Sequence, residues 1–180
     1  MTTETTTDNI LISTVGLPRC GKSTWTKNQG CPVVNPDSIR LALHGQRYIA
    51  QAEGIVWATA QLMVKALFLA GHNTVILDAT NTSYARRNEW RNPLWKNVYV
   101  GFDTPLEVCL QRALDTNQED LVPVINAMHA EFDSVEEGLE GMFFPLTPPN
   151  SPEFVTADGL RRYRDLISVN TKFRDQFGPK

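Results

Sequence analysis

No run of eighteen uninterrupted apolar residues occurs in this chain, which argues against a segment that crosses a membrane. Cysteine is scarce. Cys20, Cys31 and Cys109 form neither a CxxC pair nor a zinc-ligand spacing, which fits reduced thiols in a cytosolic fold. His44, His72 and His129 are scattered, so they support no metal cluster. The first nine residues are polar and Thr-rich and lack the basic-then-apolar order of a signal peptide, so a disordered tail on a cytoplasmic protein is expected. Between Ala113 and Leu160 there is no Lys or Arg at all, while ten acidic residues fall there. A broad nucleic-acid footprint is normally basic, so any such contact is confined to the first part of the chain or to Arg161, Arg162 and Arg164.

What is present reads as one α/β domain over residues 10–180, with 42% apolar residues to fill a single core. Short apolar runs at Ile10–Val15, Pro32–Val34, Thr74–Leu77 and Val98–Phe102 have the look of buried strands, and Phe154-Val155 of an edge strand. Helices are expected between them. One covers Ser23–Lys27, one follows Asp37 as its N-cap, and one runs from about Gln51 to Ala70 with Ile55, Val56, Leu62, Met63 and Leu69 among its apolar positions. Tyr84–Arg91 is expected to be helical, and Thr104-Pro105-Leu106-Glu107 reads as a capping box opening a helix through Arg112. Val122–Phe132 is expected to be helical, with Val124, Ile125, Met128 and Phe132 on one face. Ser134–Glu137 repeats the capping pattern, Pro145–Pro152 reads as an irregular connection, and Asp165–Phe177 as a closing helix. Trp57, Trp90 and Trp95 read as packing residues. Alternating strands and helices imply a parallel sheet of four to five strands with helices on both faces. Ligands of such sheets sit beyond the carboxyl ends of the strands.

At that rim, Gly16-Leu17-Pro18-Arg19-Cys20-Gly21-Lys22-Ser23 fits G-x-x-x-x-G-K-[ST] in full, between a strand and a helix. This is the signature of the P-loop NTPase fold. Its backbone, from Gly16 through Thr24, would wrap the phosphates of ATP or another NTP. Lys22 would reach the β and γ phosphates and the Ser23 hydroxyl would bind Mg²⁺. Asp37 is either a helix cap or a general base that takes the proton of an attacking alcohol. Arg40, three residues on, either clamps a phosphate or pairs with Asp37. Asp78 ends a strand, where it would orient Mg²⁺ or begin an Asx turn into Thr80-Asn81. The next residue is Ala79, not Glu, which weakens a motor-type ATPase reading. Of Arg86 and Arg87, one is expected to face solvent and the other to contact substrate. Asp103 and Glu107 are read as helix-start residues without chemistry.

The ordered set GLPRCGKSTW, NPDSIR, VILDATNTSYARRNEW and FDTP, over roughly residues 10–135, resembles the polynucleotide 5′-kinase-like P-loop kinases. The resemblance implies an ATP-dependent kinase acting on an alcohol, such as a nucleic-acid end, a nucleotide or a modified base. By it Lys22 and Ser23 bind the nucleotide and Mg²⁺, Asp37 is the general base, Arg40 contacts the acceptor-side phosphate, and Asp78 or Thr80-Asn81 helps hold the acceptor. It further implies a small helical lid, about residues 113–135, carrying an arginine. Here Asp115-Thr116-Asn117-Gln118-Glu119-Asp120 fills that stretch without a cation, so either Arg112 at the preceding helix end, Arg19 or a C-terminal arginine takes that part, or the activity differs from the family's. Two other readings stay open: a small-alcohol kinase on the same scaffold, and an NTP-binding or hydrolysing module with no acceptor.

Overall fold

Five short segments dominated by Val, Ile, Leu and Phe pair as one parallel sheet in the computed structural model, which describes residues 9–136 and 140–146. The strands are β1 (Ile10–Val15), β2 (Val33–Val34), β3 (Thr74–Leu77), β4 (Lys96–Phe102) and β5 (Met142–Leu146), in the order β2-β3-β1-β4-β5. Central β1 is flanked by β3, with Ile12 opposite Ile76, and by β4, with Ile12 opposite Val98. Every crossover needs a covering element, and six α-helices occur among the described residues: α1 (Lys22–Lys27), α2 (Pro36–His44), α3 (Glu53–Leu69), α4 (Tyr84–Asn88), α5 (Leu106–Asp115) and α6 (Val122–Ala130).

Because strand side chains alternate, adjacent residues of β1 feed different cores. Ile12 joins Trp25, Val98, Val100, Cys109 and Ile125 under α1, α5 and α6. Leu11 joins Val34, Ile39, Val56, Val64, Trp90 and Trp95 under α2 and α3. Each such fully buried aliphatic side chain contributes roughly 1.5–3 kcal/mol relative to exposure. Helices therefore cover both faces, as the alternating pattern implied.

Several local expectations are corrected. Met142–Leu146 is a strand, although Pro145 suggested an irregular connection. It lies at the sheet edge, where one side of the strand makes no ladder and a missing N–H is tolerated. Helix α3 buries Val56, Ala60 and Val64, an i, i+4, i+8 stripe, whereas Ile55, Leu62, Met63 and Leu69 are exposed. By length and mean hydropathy of 1.3, Ala50–Leu69 would reach across a bilayer, yet its buried stripe is packed on the sheet. Helix α6 ends at Ala130 and buries Ile125, leaving Val124 and Phe132 more than a third exposed. The cap of α2 is Asn35, not Asp37: its side chain accepts from the Ser38 N–H at 2.8 Å, Pro36 follows, and Asp37 stands in the first turn. Thr104 forms no capping box either. Its hydroxyl donates to the Cys20 carbonyl at 2.9 Å, which ties the start of α5 to the loop after β1. Ser134 does not cap a helix among the described residues; its carbonyl accepts from Arg87. The tail before residue 9, Glu137, the segment 147–152, Phe154-Val155, the Arg161 cluster and Asp165–Phe177 lie outside the described residues.

Candidate active site

The carboxyl ends of β1, β2 and β3 open into a cleft of about 1630 Å³. Its floor is the loop between β1 and α1. Two backbone features shape that loop. Gly21 takes φ 106°, a left-handed conformation natural to glycine, and hands the chain directly into α1. Gly16 is required by contact: a Cβ there would lie 2.7 Å from the Cys20 Sγ and 3.0 Å from the Phe102 Cβ. Arg19 also holds a positive φ of 67°.

Pro18, Arg19, Gly21, Lys22, Ser23 and Thr24 line the cleft. Leu17 and Cys20, also read as nucleotide-binding, have their side chains in the core, so only their backbone is available to a ligand. The Lys22 side chain, expected to reach the β and γ phosphates, is buried. Its ammonium donates to the Gly16 carbonyl at 3.0 Å, the Leu17 carbonyl at 2.6 Å and the Cys20 Sγ at 3.4 Å. A cation needs acceptors when it is buried, and these carbonyls supply them inside the loop itself.

The segment after β3 is zipped to the end of β1. The Thr14 hydroxyl donates to the Ala79 carbonyl at 2.8 Å, the Gly16 N–H to the Thr80 carbonyl at 2.9 Å, and the Asn81 amide to the Thr14 carbonyl at 2.9 Å. Thr80 and Asn81 border the cleft, but the Asn81 amide donor is already engaged and its residue is 1% exposed. Asp78 is held by its carboxylate. Its Oδ2 accepts from the Asn35 amide at 2.9 Å and from the Thr26 hydroxyl at 3.4 Å. Asn35 thus does two things at once, capping α2 and fixing Asp78. Ser23 and Asp78 face one cleft and offer a hydroxyl and a carboxylate, the hard oxygen donors that suit Mg²⁺.

Across from the loop stands Asp37, with its side chain 82% exposed. Arg40 lies beside it, one N–H 2.5 Å from the Asp37 carboxylate. Its other face forms a two-pronged pair with Glu53, both bonds 2.7 Å. The hydrogen bond to Glu53 raises the Arg40 pKa above its already high ordinary value, against the opposing effect of burial. Reciprocally, the Arg40 hydrogen bond holds the Glu53 carboxyl below the usual range. Arg40 thus pairs with Asp37, the second of its two readings, and also lines the cleft.

The two adjacent arginines separate completely. Arg86 lies at the cleft with its guanidinium 4.0 Å from the Trp57 ring centroid and paired with Glu89 at 2.6 Å. Arg87 is 0% exposed and is not a substrate contact. It pairs with buried Glu140 at 2.6 Å and donates to the carbonyls of Asn81, Asp133 and Ser134. Burial works to raise the Glu140 carboxyl, but the hydrogen bonds from Arg87 and from the Glu136 N–H hold it below its ordinary value. Arg87, on α4, therefore staples the segment after β3 and the segment after α6 to Glu140, just before β5.

Residues 113–135, the expected lid, form the end of α5, a short 3₁₀ turn at Glu119–Leu121, and α6. Arg112 at its base lines the cleft and donates to the Arg19 carbonyl at 3.1 Å, while Arg19 donates back to the Arg112 carbonyl at 3.4 Å. Sequence reasoning missed Glu53, Trp57 as a cleft wall, Arg47 and Asn35. Only Asn35 carried a local signal, an Asn directly before a Pro at the first helical position.

A loop with this geometry, facing an exposed carboxylate across a cleft, is what a phosphate-binding family would preserve. A family model described as an AAA domain matches residues 11–135. The chain belongs to that family. Among solved structures it is similar to a chain of the Pnkp1/Rnl/Hen1 complex, with 27% identity and a TM-score of 0.53 over 58% of this chain and 38% of that one. The chain thus spans well under half the length of that relative. A fungal RNA kinase superposes with TM-score 0.62 at 12% identity, over 97% of this chain and 91% of its own. A gluconokinase from Sinorhizobium meliloti superposes with TM-score 0.60 at 14% identity, over 91% and 98%. The last two show the fold alone: this is a P-loop NTPase fold.

Proposed function

We propose that this AAA-domain family member is an ATP-dependent kinase that transfers the γ-phosphoryl group to an alcohol. The observation that carries the reading is the Asp37 carboxylate, exposed in the same cleft as the Gly16–Ser23 loop and held beside a glutamate-anchored Arg40. Asp37 and Arg40, three residues apart on α2, together with Ala79 where a water-polarising Glu would stand, favour a kinase over a hydrolytic module. The loop backbone and Lys22 bind and orient the triphosphate, and Lys22 exchanges its loop carbonyls for phosphate oxygens. Asp37 accepts the acceptor's proton as the hydroxyl oxygen bonds to the γ-phosphorus. The bond from that phosphorus to its bridging oxygen breaks, leaving a nucleoside diphosphate. Ser23 and Asp78 would hold a magnesium ion, which would supply positive charge beside the phosphates.

The acceptor half favours a nucleic-acid end, nucleotide or modified base. Arg40 and Arg86 supply cations there, and both lie near the Trp57 ring, 5.9 Å and 4.0 Å from its centroid. Phosphate beside a flat ring is the chemistry these groups match. The free thiols of Cys20, Cys31 and Cys109 fit a reducing, cytoplasmic setting.

The test is incubation of the protein with γ-labelled ATP and a panel of acceptors: 5′-hydroxyl DNA and RNA, nucleosides, hydroxymethylated-base DNA and small alcohols. Label on a nucleic acid or nucleotide supports the full reading. Label only on a small alcohol keeps the kinase and removes the acceptor assignment. Release of free phosphate alone, with no labelled acceptor, overturns the kinase.

A further inference from the structure

The cations around the cleft are unequally committed. Arg40 is clamped by Glu53 and Asp37. Arg86 is stacked on Trp57 and paired with Glu89. Arg19 and Arg112 hold each other's carbonyls, which fixes the base of the lid against the phosphate loop. Arg47 is different. It lines the cleft from the connection between α2 and α3, more than half exposed, and its ion pair is with Asp120 of the lid turn at 3.0 Å. Asp120 is itself two-thirds exposed, and a pair between two such groups is worth little, about 0–1 kcal/mol.

The position of that pair is its significance. The chain runs from the phosphate loop through the Arg19–Arg112 contact to the end of α5, then through the turn at Gln118 to Asp120. There Arg47 returns it to the helix that carries Asp37 and Arg40. The Arg47–Asp120 contact thus completes a ring of contacts among residues that line the cleft. It places one loosely held guanidinium between the two halves, opposite a lid that has no cation between Ala113 and Phe132.

We infer that Arg47 is the γ-phosphate-binding arginine of this enzyme, and that Asp120 occupies it until nucleotide arrives. The inference rests on the kinase reading above. A terminal phosphate bearing about two negative charges and three acceptor oxygens is a better partner for a guanidinium than one solvated carboxylate. Binding of a triphosphate therefore transfers Arg47 from Asp120 to the γ-phosphoryl oxygens. The arginine then neutralises charge on the group in flight, from the acceptor side of the cleft. Phosphoryl transfer gains most from charge fixed at that place. Asp120 is a competitor, so its removal favours the nucleotide-bound arrangement.

Affinities of the intact protein for MgATP and MgADP, measured by calorimetric titration for wild type and three variants, test this. In Arg47→Ala the affinity for MgATP should fall by ~10-fold while that for MgADP stays within about twofold, since ADP lacks the phosphate in question. Arg47→Lys should recover part of the loss. Asp120→Asn should raise the affinity for MgATP a few-fold and leave MgADP unchanged. A merely structural ion pair would shift both nucleotides together or neither. An ATP-to-ADP affinity ratio in Arg47→Ala equal to wild type overturns the inference. Lys22→Ala separates the two levels of argument. If it loses both nucleotides while Arg47→Ala keeps the wild-type ratio, this inference alone falls. If Lys22→Ala binds both as well as wild type, the phosphate-loop reading falls with it.

Discussion

The floor of the cleft takes its groups from one uninterrupted stretch, Pro18 to Thr24, whereas the opposite wall draws Asp37, Arg40, Glu53, Trp57 and Arg86 from three separate helices. The floor binds through backbone. Its shape follows from Gly21 at positive φ, from Gly16 packed against Phe102, and from an ammonium that is satisfied within the loop. The wall binds through side chains whose partners come from elsewhere: Glu53 reaches Arg40 across thirteen residues, and Trp57 and Arg86 meet from different helices. A floor of this kind can accept any triphosphate. A wall of that kind can be altered one side chain at a time, so specificity for the acceptor belongs to it.

The difference predicts which substitutions are absolute and which are graded. Lys22→Ala should have the largest effect, a fall in phosphoryl transfer of ~10³-fold or more, because the main cation of the floor is lost. Far-UV circular dichroism should remain native, since the Lys22 side chain belongs to neither core. Transfer within tenfold of wild type would mean that the floor does not handle the nucleotide.

Arg87 tests the boundary of the wall. As a fully buried staple, its replacement by Ala should destabilise the protein by about 3–5 kcal/mol, because Glu140 is left as an uncompensated buried charge. Arg86→Ala, one residue away, should cost about 1 kcal/mol or less, since its pair with Glu89 is partly solvated. Urea melts of the two variants make the comparison. Equal midpoints would erase the distinction between staple and wall.

Asp37→Asn probes the wall's chemistry. The α2 cap is unaffected because Asn35 supplies it, so the melting temperature should hardly move. Transfer should fall by ~10²-fold, with nucleotide affinity retained, because the proton acceptor is gone. A wild-type rate would reduce Asp37 to a surface partner of Arg40.

The same contrast explains what was legible in the sequence. The floor was readable because its function lies in consecutive residues, and the parallel sheet because strands buried on both faces are continuous apolar runs. The wall was half readable. Asp37 and Arg40 share a helix and a spacing, but Glu53 and Trp57 are chosen by a fold that brings α3 beside α2. Adjacent Arg86 and Arg87 look alike in sequence; which one is buried depends on Glu140, fifty-three residues away. Strand β5 was obscured by Pro145, which only an edge position excuses. The exposed apolar residues of α3 misled because that helix is apolar nearly all round, so composition does not say which stripe meets the sheet.

The smallest expected effect is a pH dependence that belongs to the wall. Glu53 is held below its ordinary pKa by the Arg40 hydrogen bond, so in the folded protein it releases its proton more readily than in the unfolded chain. Its stabilising contribution is therefore complete above the unfolded value of about 4.3 and fades as pH falls through the lower folded value. Glu140, shifted in the same direction, adds to the loss in the same window. Glu53→Gln removes one of these two contributions and leaves the other. Urea midpoints taken between pH 6 and pH 3 should fall with acid in both proteins, with a shallower slope for Glu53→Gln. That variant should also transfer phosphate more slowly at pH 7, by roughly tenfold at most, because Arg40 loses a charged anchor and is positioned less firmly. Identical acid slopes in the two proteins would show that the Arg40–Glu53 pair is not formed in solution, and the wall would then have no fixed arginine to set against the floor.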